Sequence, residues 1–127
     1  MPRRVVHFEL PYDDADRAST FYREAFDWGL ETWPDSGGYV LVSTGPNGDR
    51  GPTEPGFING GLLQRSEGHT APNVVIDVDD IDAALDAVEA AGGKRLEGRA
   101  PVGDMGWAAY FTDTEGNVVG LWETKTS

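Results

Sequence analysis

Apolar residues along this chain fall into two rhythms, and each rhythm appears twice. Val6, Phe8 and Leu10 alternate with Val5, His7 and Glu9, the period of two that sends successive side chains to opposite faces of a strand. The pattern predicts a strand over 4–10 with an apolar face for packing and a His/Glu face turned toward something wetter. Directly afterwards Ala18, Phe21, Tyr22, Ala25 and Phe26 recur at i, i+3 and i+4, a single apolar stripe on a helix. Asp13 or Asp14 caps that helix, where a carboxylate is favoured by the unpaired N–H groups and the helix dipole. Phe8, Phe21 and Phe26 are expected in the core. Strand patterns follow over 28–33, 39–44 and 57–64. The second round opens with Val74, Ile76 and Val78 on one face of a strand over 73–78. Asp79 or Asp80 then caps a helix carrying Ile81, Ala84, Leu85 and Val88, which stops at Gly92-Gly93. Strands over 94–97, 108–113 (starting near Met105) and 118–123 complete the chain.

The two rounds are in register. A shift of 66 residues lays Asp14–Ala18 on Asp80–Ala84, Leu10 on Ile76, Tyr22 on Val88 and Ala25 on Ala91. The same shift lays His7 on Asn73. The reading is one domain made of two βαβββ modules, about 4–65 and 72–124, sharing a core. Between them a polar linker over 66–71 carries His69, read as a solvated loop histidine. Gly45–Gly56 is crowded with Gly and Pro around Asn47-Gly48, a turn dipeptide. It reads as an irregular loop that could lie across a site. Gly60-Gly61 inside a strand signals a bulge or a close backbone approach.

Composition narrows the function more than the fold. The chain has 127 residues and no cysteine, which removes disulfides, thiolate metal sites and cysteine nucleophiles. Twenty-two acidic residues face ten basic ones, a formal net charge of −12, which would repel a phosphate backbone and argues against nucleic acid. Only Lys94 and Lys125 are lysines, a balance suited to high salt, where self-repulsion is screened. No apolar run approaches the roughly 20 residues needed to cross a membrane, and no apolar segment follows Arg3-Arg4. A cytoplasmic location without membrane contact is expected. Glycine-rich phosphate loops, a Gly-x-Ser-x-Gly elbow and a His-Glu-x-x-His pair are all missing.

Val6-His7-Phe8-Glu9-Leu10 with its Asp-rich cap, Phe21-Tyr22, Asn59-Gly60-Gly61, Ala90-Ala91-Gly92-Gly93, Phe111-Thr112-Asp113-Thr114-Glu115-Gly116-Asn117 and Gly120-Leu121-Trp122 together carry a resemblance. The chain resembles the vicinal oxygen chelate superfamily, which includes glyoxalase I, the bleomycin and fosfomycin resistance proteins and the extradiol dioxygenases. It is most similar to small glyoxalase-like proteins related to lactoylglutathione lyase. The resemblance implies an α+β fold in which tandem βαβββ modules form a U-shaped mixed-sheet cleft with helices outside. Glyoxalase-type members hold a divalent metal with one ligand from the first and last strand of each module. Carried onto this chain, those positions are His7, Leu62, Asn73 and Gly120. Only His7 is a good ligand, and a catalytic site generally needs about three. The expectation is therefore no metal cofactor. Glu9 shares the face of His7, whereas Glu123, three residues beyond Gly120, turns to the opposite face.

With no metal, strict alternation from those positions gives a cleft presenting His7 and Glu9, Leu62 and Gln64, Asn73 and Asp77, and Trp122. Trp107, Tyr110 and Phe111 lie on or beside the seventh strand, and the pattern leaves their facing open, as it does for Trp28, Trp33 and Tyr39; Trp107 and Tyr110 are taken as the rings that add area to the cleft. His7 is read either as a structural histidine bonded to Asn73 or to a backbone carbonyl, or as a functional one. Rings for area and a few polar groups for orientation suit a small organic molecule. The first reading is a metal-independent small-molecule-binding protein. The second is a lyase or isomerase of lactoylglutathione-lyase type, with His7 and Glu9 as general base. A third is a domain acting through partner association. A homodimer is expected from the resemblance and from sheet edges that pairing would cover.

Overall fold

The alternating stretch at the start of the chain forms β1 (Val5–Tyr12), and Asp14 caps α1 (Ala15–Phe26) by accepting from the Arg17 N–H at 3.0 Å. Then come β2 (Gly29–Thr32), β3 (Val40–Ser43), β4 (Asn47–Gly48), β5 (Gly51–Pro52) and β6 (Asn59–Gln64). The second round gives β7 (Asn73–Asp77), α2 (Ile81–Ala90), β8 (Lys94–Val102), β9 (Gly106–Thr112) and β10 (Val118–Thr124). The computed structural model describes residues 2–126. They form two compact units, one of His7–Pro72 and one of residues 73–126 with residues 2–6. The predicted elements are present and the helix caps sit where the aspartates predict. The fold class is the expected α+β class. Strand β8 runs five residues past its predicted end, with irregular pairing to β9 between Arg95 and Ala100.

Within His7–Pro72 the strand order is β2-β3-β6-β1, and within the other unit it is β8-β9-β10-β7. The order is the same in both. In each, the first strand of the module lies beside the last, in parallel: Glu9 opposite Gly61 in one, Val75 opposite Gly120 in the other. Since Glu9 and Val75 are related by the 66-residue shift, Gly61 and Gly120 are equivalent positions. The repeat in sequence is a repeat in hydrogen bonding.

Each unit buries one sheet face under its helix. In the first, Tyr12, Val40, Val42 and Leu62 form the core, with Phe8, Leu10, Ala15, Ala18, Tyr22, Trp28 and Leu30 packed against it. The other core consists of Val78, Ile81, Leu85, Ala109, Phe111 and Leu121, with Trp107 and Val119 alongside. Phe21 and Phe26 depart from expectation: they are 56% and 60% exposed. Helix α1 meets its sheet through the small side chains of Ala15 and Ala18 and through Tyr22, whose ring stacks on Trp28 at 4.7 Å. Phe21 and Phe26 edge onto Tyr22 from outside. Periodicity located the stripe but not its buried width.

Two more local expectations change. The Gly45–Gly56 stretch is partly ordered, because Asn47–Gly48 pairs with Gly51–Pro52 as a small hairpin. Its anchor is Asn59, which accepts from the Thr44 N–H at 3.1 Å and donates to Asn47 Oδ1 at 2.6 Å. His69 is half-buried rather than solvated, on an isolated bridge with Ser66. Among the described residues no helix is long and apolar enough to cross a membrane.

Candidate functional site

His7 and Glu9 point from the face of β1 that α1 does not cover, as their alternation requires. Their common partner is Tyr39, immediately before β3. The Tyr39 hydroxyl donates to Glu9 Oε2 at 2.9 Å and lies 2.8 Å from His7 Nε2. A phenol that gives its only proton to a carboxylate accepts from its other neighbour. Nε2 therefore carries the proton of His7, and Nδ1 holds the lone pair. Glu9 is only 4% exposed, and a buried carboxylate needs such a donor to offset its lost hydration. Burial holds the His7 pKa below its usual 6.5, opposed by the negative charge of Glu9. The imidazole is neutral at pH 7.

Tyr39 is held from its backbone. Its N–H donates to Ser36 Oγ at 3.0 Å, and its carbonyl accepts from the Trp33 N–H at 2.9 Å. One residue earlier, the Gly38 carbonyl accepts from the Tyr12 hydroxyl at 2.6 Å. The turn that makes this possible places Asp35, Gly37 and Gly38 at positive φ, where glycine carries no steric penalty. Beneath the Tyr39 ring lies Gly61. A Cβ at that position would stand 2.0 Å from the Tyr39 hydroxyl oxygen.

Gly60 does the same on the other face, where a Cβ would come within 2.5 Å of the Phe8 ring. The Gly60-Gly61 pair is thus a close approach on both faces. It is not a bulge, since pairing to β1 and β3 runs through it unbroken.

Several expected site residues move. Leu62 is 1% exposed and packs under α1 in the core. Gln64, two residues on, shares its side of the strand and is exposed. The carried-over position was one residue late: Gly61, opposite Glu9, is the residue that faces with His7. Trp107 also belongs to the helix side. It packs on the α2 core, and the Arg99 guanidinium lies over its ring at 3.9 Å.

Asn73 and Asp77 alternate with the helix-facing Ile76 and Val78, as expected. Tyr110 and Trp122 share their side of the sheet, since Gly120 pairs with Tyr110 and Trp122 with Asp77. A Cβ on Gly120 would sit 3.2 Å from the Tyr110 ring, so both equivalent glycines lie under tyrosines. Glu123 turns the other way. Its carboxylate accepts from the Ile81 N–H at the start of α2 and pairs with Arg99.

A family model described as the glyoxalase/bleomycin resistance protein/dioxygenase superfamily matches residues 4–121. The chain belongs to this superfamily. A Mycobacterium bovis protein named "Putative glyoxylase CFP32" is 33% identical over 124 residues, covering 92% of this chain and 44% of that protein. The chain thus spans under half the length of that superfamily relative and of its Mycobacterium tuberculosis counterpart. A "Probable lactoylglutathione lyase" of Vibrio parahaemolyticus is 28% identical, covering 96% of this chain and 91% of its own. Among solved structures, a Streptomyces coelicolor methylmalonyl-CoA epimerase variant superposes with a TM-score of 0.67 at 17% identity, covering 97% of this chain and 95% of that one. That likeness is one of fold.

The metal implied by the superfamily meets an unsuitable donor set here. Gly61 and Gly120 have no side chain to offer, and Asn73 has only a neutral amide oxygen. The Tyr39 hydroxyl stands between His7 and Glu9, bonded to both. Among the described residues no three His, Asp or Glu side chains gather closely enough to hold a metal ion. These residues do not fit the group.

Tyr39 was the partner that sequence alone did not place. The one signal for it was Gly60-Gly61, read as a bulge or a close backbone approach; what approaches is a side-chain ring on each face.

Proposed function

We propose that this chain is a small-molecule-binding protein of the glyoxalase/bleomycin resistance/dioxygenase superfamily that works without the family's metal, with His7, Tyr39 and Glu9 as its polar anchor. The hydroxyl of Tyr39 between His7 and Glu9 carries this reading. It occupies both first-strand polar groups with a hydrogen-bond network and leaves a neutral, oriented imidazole for a ligand to meet. Asp77, Tyr110 and Trp122, with buried Asn73, retain the reading of ligand contacts on the face of their own unit that α2 does not cover. A second reading has a specific support. A neutral histidine backed through a hydroxyl by a carboxylate is arranged as a general base, suited to lyase or isomerase chemistry beside a carbonyl. A homodimer belongs to the same proposal, with exposed Phe21 and Phe26 as apolar surface to cover; light scattering checks it.

Calorimetry on chelator-treated protein tests the first reading, with methylmalonyl-CoA and S-lactoylglutathione as ligands and Ni²⁺, Zn²⁺, Mn²⁺ and Fe²⁺ as metals. Organic-ligand binding that chelator leaves unchanged and His7→Ala weakens at least tenfold is the expected result. Micromolar or tighter metal binding that disappears in His7→Ala overturns it. Proton NMR of methylmalonyl-CoA in D₂O tests the second: loss of the α-proton signal with wild type but not with His7→Ala supports it.

A further inference from the structure

Tyr39, Gly61 and His7 are more closely interlocked than ligand binding alone requires. The Tyr39 backbone is fixed by Ser36 and Trp33, and its ring crosses the sheet over Gly61. The hydroxyl then arrives where a Cβ on residue 61 would be. From there it reaches Glu9 and His7 at 2.9 and 2.8 Å. Remove the hydroxyl, or push it away, and Nε2 of His7 loses the acceptor that keeps its proton there.

We propose that Tyr39 is a positioning residue that fixes which nitrogen of His7 carries the proton, and that Gly61 is the seat allowing it to do so. The inference rests on the reading that the His7 face receives the ligand. With Nε2–H held on Tyr39, Nδ1 is the basic atom, and under the general-base reading it is the nitrogen that takes the proton from the carbon beside a carbonyl. In that step the C–H bond breaks and an N–H bond forms at Nδ1, while the electron pair moves onto the carbonyl as an enolate. The imidazolium keeps Nε2–H hydrogen-bonded to the Tyr39 oxygen, and the Tyr39 hydroxyl keeps its own proton, hydrogen-bonded to Glu9, whose negative charge balances the ring. Return of the proton from Nδ1 to carbon completes an isomerisation. No oxidant or reductant is consumed.

The test needs no substrate. Protein labelled with ¹⁵N histidine is compared by NMR as wild type, Tyr39→Phe and Gly61→Ala. In wild type, His7 should show a pyridine-type Nδ1 and an exchange-protected Nε2–H with an Overhauser contact to the Tyr39 ring. Both variants should lose the protected Nε2–H and show a second tautomer, and the double variant should be no worse than either alone. Amide spectra identify any variant that has not folded. Tyr39→Phe retains the ring and supplies the result should Gly61→Ala fail. A wild-type His7 protonated on Nδ1, or a protected Nε2–H that survives Tyr39→Phe, overturns the proposal. Normal tautomer behaviour without any ligand binding would sink the functional reading instead, so the two failures are distinguishable.

Discussion

His7 links chemistry to stability through its neutral form. Because burial lowers its pKa in the folded chain, the unfolded chain binds a proton at a higher pH than the folded one. Stability therefore falls as pH drops below about 6.5, and the loss is complete once pH passes below the folded-state value. Urea midpoints between pH 7.5 and 5 should fall more steeply for wild type than for His7→Gln; equal slopes would contradict this. The two glycines of β6 make a second prediction. At Gly60 a new Cβ meets the Phe8 ring, pinned against Trp28 at 5.7 Å; at Gly61 it meets the hydroxyl end of the Tyr39 ring, which hydrogen bonds hold on Glu9 and His7. By chemical denaturation Gly60→Ala should cost about 1–3 kcal/mol as an overpacked core does, and Gly61→Ala at least as much, because displacing the Tyr39 hydroxyl also takes from buried Glu9 a donor that offsets its lost hydration. His7 and Glu9 were legible from alternation alone. Leu62 and Gln64 were misplaced because alternation gives relative facing only, and Trp107 because the pattern left its facing open. A one-residue error in the anchor turns a whole strand over.

At the scale of elements, α2 shows how its boundary is set from two directions. Asp80 accepts from the Ala83 N–H at 3.2 Å, and Glu123 reaches from β10 to the Ile81 N–H at 2.9 Å. Asp80→Ala should cost about 1 kcal/mol, typical for a lost N-cap, and lower the melting temperature by a few degrees. Leu85→Ala removes a fully buried side chain and should cost about 2–5 kcal/mol; a smaller loss by urea titration would mean that the α2 core collapses around the gap. Helices and strands were readable because caps, glycines and periodicity agree at each boundary. The aspartate at the end of α1 was not readable as a stop. Asp27 adopts a left-handed φ of 58°, a place more often held by glycine. The exposure of Phe21 and Phe26 depends on how α1 lies on its sheet, which no local pattern encodes.

Over the whole molecule, the formal charge of −12 sets a background field against which single ion pairs matter little. Arg3–Asp79, Arg65–Asp13 and the pairs of Arg95 with Asp86 and Glu89 are all well exposed, where such contacts contribute little. Screening of the acidic excess should outweigh their loss. The melting temperature should rise between about 0.05 and 1 M KCl, as the screening length shrinks from above 10 Å to about 3 Å. A fall would show that the ion pairs dominate.

The parallel pairing of first and last strands also has a consequence for synthesis. During translation β1 leaves the ribosome first, but its neighbour within its own unit, β6, is the last strand of that unit to emerge. In the interval its apolar edge has no partner from its unit, and the pairing that brings Glu9 beside Gly61 must span the intervening chain. Such long-range closure is slow and leaves nascent edges open to wrong partners. A chain released after Ser43 would keep β1, α1 and the β2–β3 hairpin but lack the strand that lies between β3 and β1. It should aggregate where a chain released after Pro72 stays dispersed.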